Sequence, residues 1–247
     1  MHAWAEWISM RKDRSRVCLA LLALLLLLAA CGERSQPESG TAPTDYFPMV
    51  PGMRWLYSLR SSLGPLEVEV TARGEMPLPR DRGRVFVMDE KNLGPSLGFV
   101  EVAPVGYVVT HGYVARVTGI DYDPSGRLRL LGQDEPTWIL PLDPQPGHGW
   151  KQQTAIFQTP EDRGGLLGWS SEVKPRTTVT VPAGRFEDVV EVDTVYHDAS
   201  EGEGAAKVVY RDYYARGVGL VRSVTEDPSG DEANLIEQEL LEYHAPR

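Results

Sequence analysis

Between residues 66 and 73 the sequence alternates strictly between apolar and polar side chains. The apolar set is Leu66, Val68, Val70 and Ala72, and the polar set is Glu67, Glu69, Thr71 and Arg73. A β-strand points successive side chains to opposite faces, so this segment would have one apolar face and one polar face. The same pattern recurs in residues 173–181, 190–196, 208–214 and 219–225. No long window carries a convincing helical period, and the sequence therefore predicts an all-β protein.

Turn signals separate the predicted strands. Asp123-Pro124-Ser125-Gly126 and Asp227-Pro228-Ser229-Gly230 both combine a Pro that presets φ with a Gly that accepts a left-handed conformation, which is typical of tight hairpins. Residues 231–241 fit either a helix or a strand, and the preceding turn favours a strand. Many short strands at even spacing indicate an antiparallel sandwich or an open barrel.

The N-terminal region has the pattern of a secretion signal. A basic stretch, Arg11-Lys12-Asp13-Arg14-Ser15-Arg16, precedes 14 apolar residues at 17–30. This run is shorter than the roughly 20 residues that cross a bilayer, and it fits the apolar part of a signal peptide. It ends in Leu28-Ala29-Ala30-Cys31-Gly32, which resembles the lipobox of bacterial lipoproteins. A plain secretory signal and an uncleaved anchor are the alternatives.

The lipobox resemblance implies cleavage between Ala30 and Cys31 and attachment of a diacylglyceryl group, with its palmitate-like acyl chains, to Cys31. This covalent lipid would anchor the protein to a membrane. In enteric-type lipoprotein sorting, an Asp directly after the lipidated cysteine prevents transport to the outer membrane. Gly32 occupies this position here, so the expected location is the outer membrane, facing the periplasm. Residues 1–9 do not fit a signal peptide, and we expect translation to start at Met10.

The sequence divides into three predicted segments. Residues 1–30 are the predicted signal peptide, 31–45 the lipidated cysteine with a flexible linker, and 46–247 the β domain. The chain has 35 acidic against 25 Lys and Arg residues, a net charge of -10, which argues against nucleic-acid binding. Its two cysteines cannot form a disulfide framework.

A short sequence motif occurs twice. Residues 51–55 read Pro-Gly-Met-Arg-Trp, and residues 146–150, which lie 95 positions later, read Pro-Gly-His-Gly-Trp. Coincidence and duplication are both open explanations. If the motif marks a duplication, the β domain would consist of halves at 46–135 and 136–247.

Five patches occur in order along residues 46–243. They are Tyr46-Phe47-Pro48 with Gly52, Trp55 and Tyr57; Leu140-Pro141-Leu142 with Gly147 and Trp150; Val181-Pro182-Ala183-Gly184 with Phe186, Asp188 and Val189; Tyr213-Tyr214-Ala215 with residues 217–221; and Leu241 with Tyr243. Together they resemble the TapB-like family of bacterial envelope lipoproteins, whose function is unknown. Residues 74–135 match no part of this pattern.

The resemblance implies a fold similar to the half-barrel of outer-membrane lipoprotein carriers, in which a curved antiparallel sheet wraps an apolar concavity. Trp55, Trp150, Tyr213 and Tyr214 supply large apolar area, so the sequence favours core positions for them. The alternative is that some of these aromatic side chains face a hydrophobic ligand.

Two motifs suggest other chemistry, and neither has the expected context. Gly94-Pro95-Ser96-Leu97-Gly98 has the spacing of a serine-hydrolase elbow, but strand-like residues follow where a helix is required. Asp121, Asp123 and Ser125 match the first ligands of an EF-hand calcium loop, whereas Gly132 occupies the position of its bidentate Glu. A weak Ca²⁺ site completed by Asp134 or Glu135 stays open.

No cofactor other than the covalent lipid is expected, because the four histidines of the mature chain lack zinc-site spacing. They are His111, His148, His197 and His244. The sequence therefore favours a non-enzymatic, lipid-anchored envelope protein that binds a hydrophobic ligand or an envelope partner. An interaction or assembly factor without a ligand cavity is the alternative, and a serine hydrolase using Ser96 is a remote third.

Overall fold

The computed structural model describes residues 44–62, 64–78, 83–93, 102–117, 119–131, 135–156, 165–198, 208–226 and 235–246. These residues form β-strands joined by turns and loops, so the predicted all-β class is confirmed. Within the described ranges, no helix is long and apolar enough to cross a membrane. The strands are β1 (Arg54–Ser61), β2 (Gly64–Pro77), β3 (Arg84–Asn92), β4 (Val102–Thr110), β5 (Tyr113–Val117), β6 (Ile120–Tyr122), β7 (Leu128–Leu130), β8 (Thr137–Pro141), β9 (Gly149–Ile156), β10 (Gly165–Val173), β11 (Thr177–Val181), β12 (Gly184–Asp198), β13 (Val208–Ala215), β14 (Gly219–Glu226) and β15 (Ile236–His244).

Thirteen of these strands form one antiparallel sheet in the order β8-β5-β4-β3-β2-β1-β15-β14-β13-β12-β10-β9, with β11 paired to β12. Strand β1 lies between β2 and β15, so the first and last strands of the domain pair with each other. The boundary suggested near residue 135 falls between β7 and β8, and strands from both sides of it belong to the same sheet. A division into halves stays a prediction.

The two end strands of this sheet meet. The side-chain oxygen of Gln152 on β9 accepts a hydrogen bond of 2.7 Å from the Trp138 amide on β8, and its side-chain nitrogen donates one of 3.3 Å to the Pro136 carbonyl. The Trp150 indole also donates to the Trp138 carbonyl at 3.3 Å. Because β8 and β9 lie at opposite ends of the strand order, this contact requires the sheet to curl into a nearly closed, barrel-shaped structure. We call this contact the seam.

The main hydrophobic core lies on the concave side of the sheet. Phe86, Leu140, Val190 and Leu240 are at most 1% exposed, and they come from strands all around the curve. Alternation with period two explains this core, since each strand directs every second side chain inward. The predicted curved antiparallel sheet is confirmed.

A second apolar cluster lies on the outer face, beneath the hairpin of β6 and β7. It contains Val85, Val87, Val117, Ile120 and Leu128. Strand β3 is therefore buried on both faces from Val85 to Met88. The hairpin turn is the predicted one: the Gly126 amide donates to the Asp123 carbonyl at 2.9 Å, and Gly126 has a φ of 79°.

The other predicted turn, at residues 227–230, lies outside the described residues. The antiparallel strands β14 and β15 flank it in the chain. Residues 236–241 belong to β15, which agrees with the strand predicted for that segment.

Candidate ligand-binding cavity

The concave side of the sheet is not completely filled. A cavity of about 270 Å³ lies between strands from β1 to β5 and strands from β13 to β15, with one residue from β8. Its apolar wall is formed by Trp55, Val70, Met88, Ile139 and Leu220. The volume lies just below the roughly 300–1,000 Å³ of ordinary small-molecule sites. The cavity can therefore hold a small molecule or part of a larger one.

The segment that leads from the predicted linker into β1 forms another part of the wall. Phe47 and Pro48 line the cavity, and the Phe47 ring lies 4.8 Å from the Tyr107 ring, centroid to centroid. Tyr46 holds this segment in place, because its hydroxyl donates to Asp188 at 2.8 Å. The guanidinium groups of Arg176 and Arg216 lie 4.7 and 4.8 Å from the Tyr46 ring centroid.

Aromatic side chains supply much of the remaining surface. Tyr57, Tyr107, Tyr210 and Tyr214 all line the cavity. The Tyr57 hydroxyl donates to the Leu220 carbonyl at 3.0 Å, and the Trp55 indole donates to the Val218 carbonyl at 2.7 Å. These bonds fix the two rings of β1 against Val218 and Leu220 and satisfy polar groups that would otherwise be buried without partners.

Three charged side chains also line the cavity: Glu90 from β3, Arg116 from β5 and Asp212 from β13. Burial raises the pKa of the Asp212 carboxyl, although hydrogen bonds from Ser223 and Tyr214 and the charge of Arg116 act in the opposite direction. Burial also raises the pKa of Glu90, and the charge of Arg116 partly offsets this. The cavity is therefore amphipathic, whereas the resemblance implied an apolar concavity.

The four aromatic residues singled out in the sequence occupy different places. Trp55 and Tyr214 line the cavity and are 4% and 3% exposed. Trp150 is buried at the seam and does not line the cavity. Tyr213, next to Tyr214 on the same strand, is half-buried and packs against the edge of the core. The structure thus brings together only two of the four.

The calcium candidates have protein partners. Asp123 accepts hydrogen bonds from the amides of Ser125 and Arg127, at 2.8 and 3.0 Å, and therefore stabilises the hairpin turn. Asp121 forms an ion pair with Arg129 on β7. Among the described residues, no group of three or more His, Cys, Asp or Glu side chains could hold a metal ion.

Other predicted site residues lie outside the described part of the chain. These are Ala30, Cys31, Ser96 and Asp134. Three of the histidines contact different residues. His148 hydrogen-bonds to the Tyr113 hydroxyl at 2.9 Å, His111 hydrogen-bonds to Thr110 at 2.9 Å, and His244 lies 3.7 Å from Glu242.

Sequence reasoning missed the charged residues of the cavity. A usable signal was present, since Glu90 shares a strand face with Phe86 and Met88, and Asp212 shares one with Tyr210. A charged residue on the apolar face of a strand is unusual unless it has a partner or a function.

No protein-family profile matches the sequence, and no characterised protein matches it as a relative. The resemblance to the TapB-like family therefore stays a prediction. The fold is similar to that of a Parabacteroides distasonis protein assigned as a lipoprotein, with a TM-score of 0.49 and 16% identity over 83% of this chain and 100% of that chain. It is also similar to an exported protein with a YmcC-like fold from Bacteroides fragilis, with a TM-score of 0.43 and 14% identity over 82% and 100%. LprF from Mycobacterium bovis aligns with a TM-score of 0.18 and 14% identity over 78% and 86%.

Proposed function

We propose that this protein is a lipid-anchored component of the bacterial cell envelope that binds an amphipathic ligand inside its curved sheet, without catalysing a reaction. The observation that carries this proposal is the cavity of about 270 Å³, which combines an apolar wall with charged groups. Packed protein interiors rarely leave such a space, and charged side chains are seldom directed into one unless a partner neutralises them.

The lipobox supports the anchor. Two or three acyl chains on Cys31 hold a protein durably at a membrane, because each buried CH2 contributes about 0.8 kcal/mol. Only 15 residues separate Cys31 from Phe47, which lines the cavity. This linker limits how far the cavity can lie from the anchor, and the absence of Asp after Cys31 supports the outer membrane facing the periplasm.

The composition of the cavity wall supports binding without catalysis. Among the described residues that line it there is neither His nor Cys, and Asp212 and Ser223 hydrogen-bond to each other at 2.6 Å. A nucleophilic serine needs an adjacent general base whose orientation is fixed by a third group. The cavity instead offers rings, apolar side chains and fixed charges, which suit recognition.

Native mass spectrometry of residues 33–247, expressed in bacteria, tests the ligand. This chain contains every strand and every cavity residue, since they all lie between Thr44 and Pro246. We expect a bound mass that is lost in Trp55→Ala and retained in Trp150→Ala. A ligand-free mass in the wild-type chain would contradict ligand binding and favour a protein partner in the envelope instead.

Metabolic labelling tests the anchor separately. The full chain grown with labelled palmitate is expected to carry the label, and Cys31→Ala is expected to lose it. Cys18→Ala, within the predicted signal peptide, is the matched control and should stay labelled. Label in Cys31→Ala would contradict the assignment of the lipid to that residue.

A further inference from the structure

Two acidic side chains and one basic side chain face the same cavity from three different strands. Glu90 and Asp212 are half-buried, and Arg116 is exposed. Among the described residues, Glu90 and Arg116 attract each other through their charges without forming a hydrogen bond or an ion pair. These two charges are therefore available to a ligand.

The three groups nevertheless influence one another. The positive charge of Arg116 acts on both Glu90 and Asp212, so all three lie within electrostatic range. Asp212 keeps only neutral donors: the Ser223 hydroxyl at 2.6 Å and the Tyr214 hydroxyl at 3.4 Å. The cavity therefore holds two carboxyl groups and one guanidinium group that lack a direct ionic partner among the described residues.

This arrangement discriminates between ligands by their charge. A ligand with only an anionic group would pair with Arg116 and be repelled by Glu90 and Asp212. A ligand with only a cationic group would pair with the carboxylates and leave Arg116 without a counter-charge. A ligand that carries both charges compensates both sides, and desolvated charges contribute strongly to specificity when they are matched.

The aromatic wall adds to the recognition of a cation. Tyr57, Tyr107 and Tyr210 line the cavity together with Trp55. Aromatic rings attract an ammonium group through their negative faces, and several rings around one site form the cages that bind alkylated amines. The apolar side chains Met88 and Ile139 are available for a hydrocarbon portion.

We infer that the cavity selects a zwitterionic amphiphile, whose ammonium group faces Glu90 and Asp212 and whose anionic group faces Arg116. This inference rests on the proposed function of the same cavity. The volume of about 270 Å³ lies just below the range of ordinary small-molecule sites. It therefore suits the head group and the first carbons of the ligand, with the remaining chain outside.

Calorimetric titration of residues 33–247 with three short-chain probes tests the inference. The probes are dihexanoyl phosphatidylethanolamine, which is zwitterionic, dihexanoyl phosphatidylglycerol, which is anionic, and hexyltrimethylammonium, which is cationic, each below its micelle concentration. We expect the zwitterionic probe to bind at least tenfold more tightly than either of the others.

Charge variants sharpen the test. Arg116→Gln should weaken the zwitterionic probe about tenfold and improve the cationic one, whereas Glu90→Gln combined with Asp212→Asn should improve the anionic one. Arg54→Gln is the matched control, because Arg54 is exposed and pairs with Glu69 on the outer face. Arg116 is exposed, so Arg116→Gln remains informative even if the double variant does not fold.

The outcomes separate the two proposals. Binding of all three probes with equal affinity, or binding unchanged in Arg116→Gln, overturns the zwitterion inference and leaves the ligand-binding function intact. If no probe binds and native mass spectrometry also finds no ligand, both proposals are overturned.

Discussion

Gly52 and Gly147 occupy equivalent positions in two turns with the same hydrogen bonds. The Gly52 amide donates to the Ala72 carbonyl at 2.8 Å, and the Gly147 amide donates to the Val173 carbonyl at 2.8 Å. Their φ angles are 86° and 82°, a left-handed region that favours glycine. The motif that occurs twice in the sequence thus forms the same local structure twice.

The equivalence continues into the strands that follow. Strands β1 and β9 begin two residues after Gly52 and Gly147, and both place a buried tryptophan at their second position. Each indole donates to a backbone carbonyl: Trp55 to Val218 at 2.7 Å, and Trp150 to Trp138 at 3.3 Å. The two tryptophans have the same local role but lie in different surroundings, since only Trp55 lines the cavity.

This difference leads to a prediction about Trp55→Phe and Trp150→Phe. Each change leaves a carbonyl without its donor, which lowers the free energy of unfolding by about 1–3 kcal/mol. The decrease should be larger in Trp55→Phe, because the hydrogen bond of Trp55 is the shorter one. Chemical denaturation measures this cost. Ligand affinity should fall only in Trp55→Phe, so an equal fall in Trp150→Phe would contradict the assigned cavity wall.

A second prediction concerns the seam. Gln152→Met removes both the acceptor for the Trp138 amide and the donor to Pro136, so hydrogen exchange at the Trp138 amide should become at least tenfold faster. Gln152→Glu keeps the acceptor and should retain most of the protection. Gln153→Met, at the exposed neighbouring position, is the control, and exchange at Trp138 should not change in it.

The third prediction is a dependence of stability on pH. Burial raises the pKa of Glu90 in the folded state, so the folded protein holds this proton more tightly than the unfolded chain. Stability is therefore lost as the pH rises from the unfolded pKa of about 4.3 through the raised folded value. Glu90→Gln removes this loss and should raise the melting temperature by a few degrees at pH 8.

The same comparison at pH 4 should show a smaller difference between Glu90→Gln and the wild type. Glu187→Gln, which alters an exposed side chain that pairs with Arg185, is the control for the loss of one negative charge. A stabilisation of Glu90→Gln that stays constant between pH 4 and pH 8 would show that the buried carboxylate is not its cause.

The fourth prediction concerns the contact between the outer hairpin and the sheet. A Cβ atom at Gly106 would lie 2.7 Å from a methyl carbon of Val85 and 3.0 Å from Ile120. Gly106→Ala should therefore destabilise the protein by about 1–3 kcal/mol. In the double variant Gly106→Ala, Val85→Ala the clash with Val85 is absent. Its loss of stability should therefore be smaller than the sum of the losses in the two single variants. Simple additivity would argue against this close approach.

The alternation of apolar and polar side chains made much of the fold predictable from the sequence. Strand β2 follows it clearly, and Val70 and Ala72 are buried as expected. Strand β3 could not be identified this way, because the outer hairpin covers it and Val85 to Met88 are buried on both faces. Burial on both faces therefore leaves β3 without the alternation that marks β2.

The site was less predictable than the fold. Period two requires that Tyr213 and Tyr214 face opposite sides of the sheet, but it does not say which of them faces inward. That choice depends on the neighbouring strand, where Tyr214 pairs with the fully buried Val190. Glu90 and Arg116 lie on β3 and β5, which are separated by β4, so their convergence depends on a strand order that alternation alone does not give.

The seam is held together differently from the other strand junctions of the sheet. Neighbouring strands elsewhere are joined by backbone ladders, such as the eight paired positions of β1 and β2. Strands β8 and β9 are held together by the side chains of Gln152 and Trp150 and by aromatic packing around Tyr113. Parting them breaks these side-chain contacts and leaves every ladder of the sheet intact. The seam is therefore the place where the sheet can open with the smallest loss of backbone hydrogen bonds.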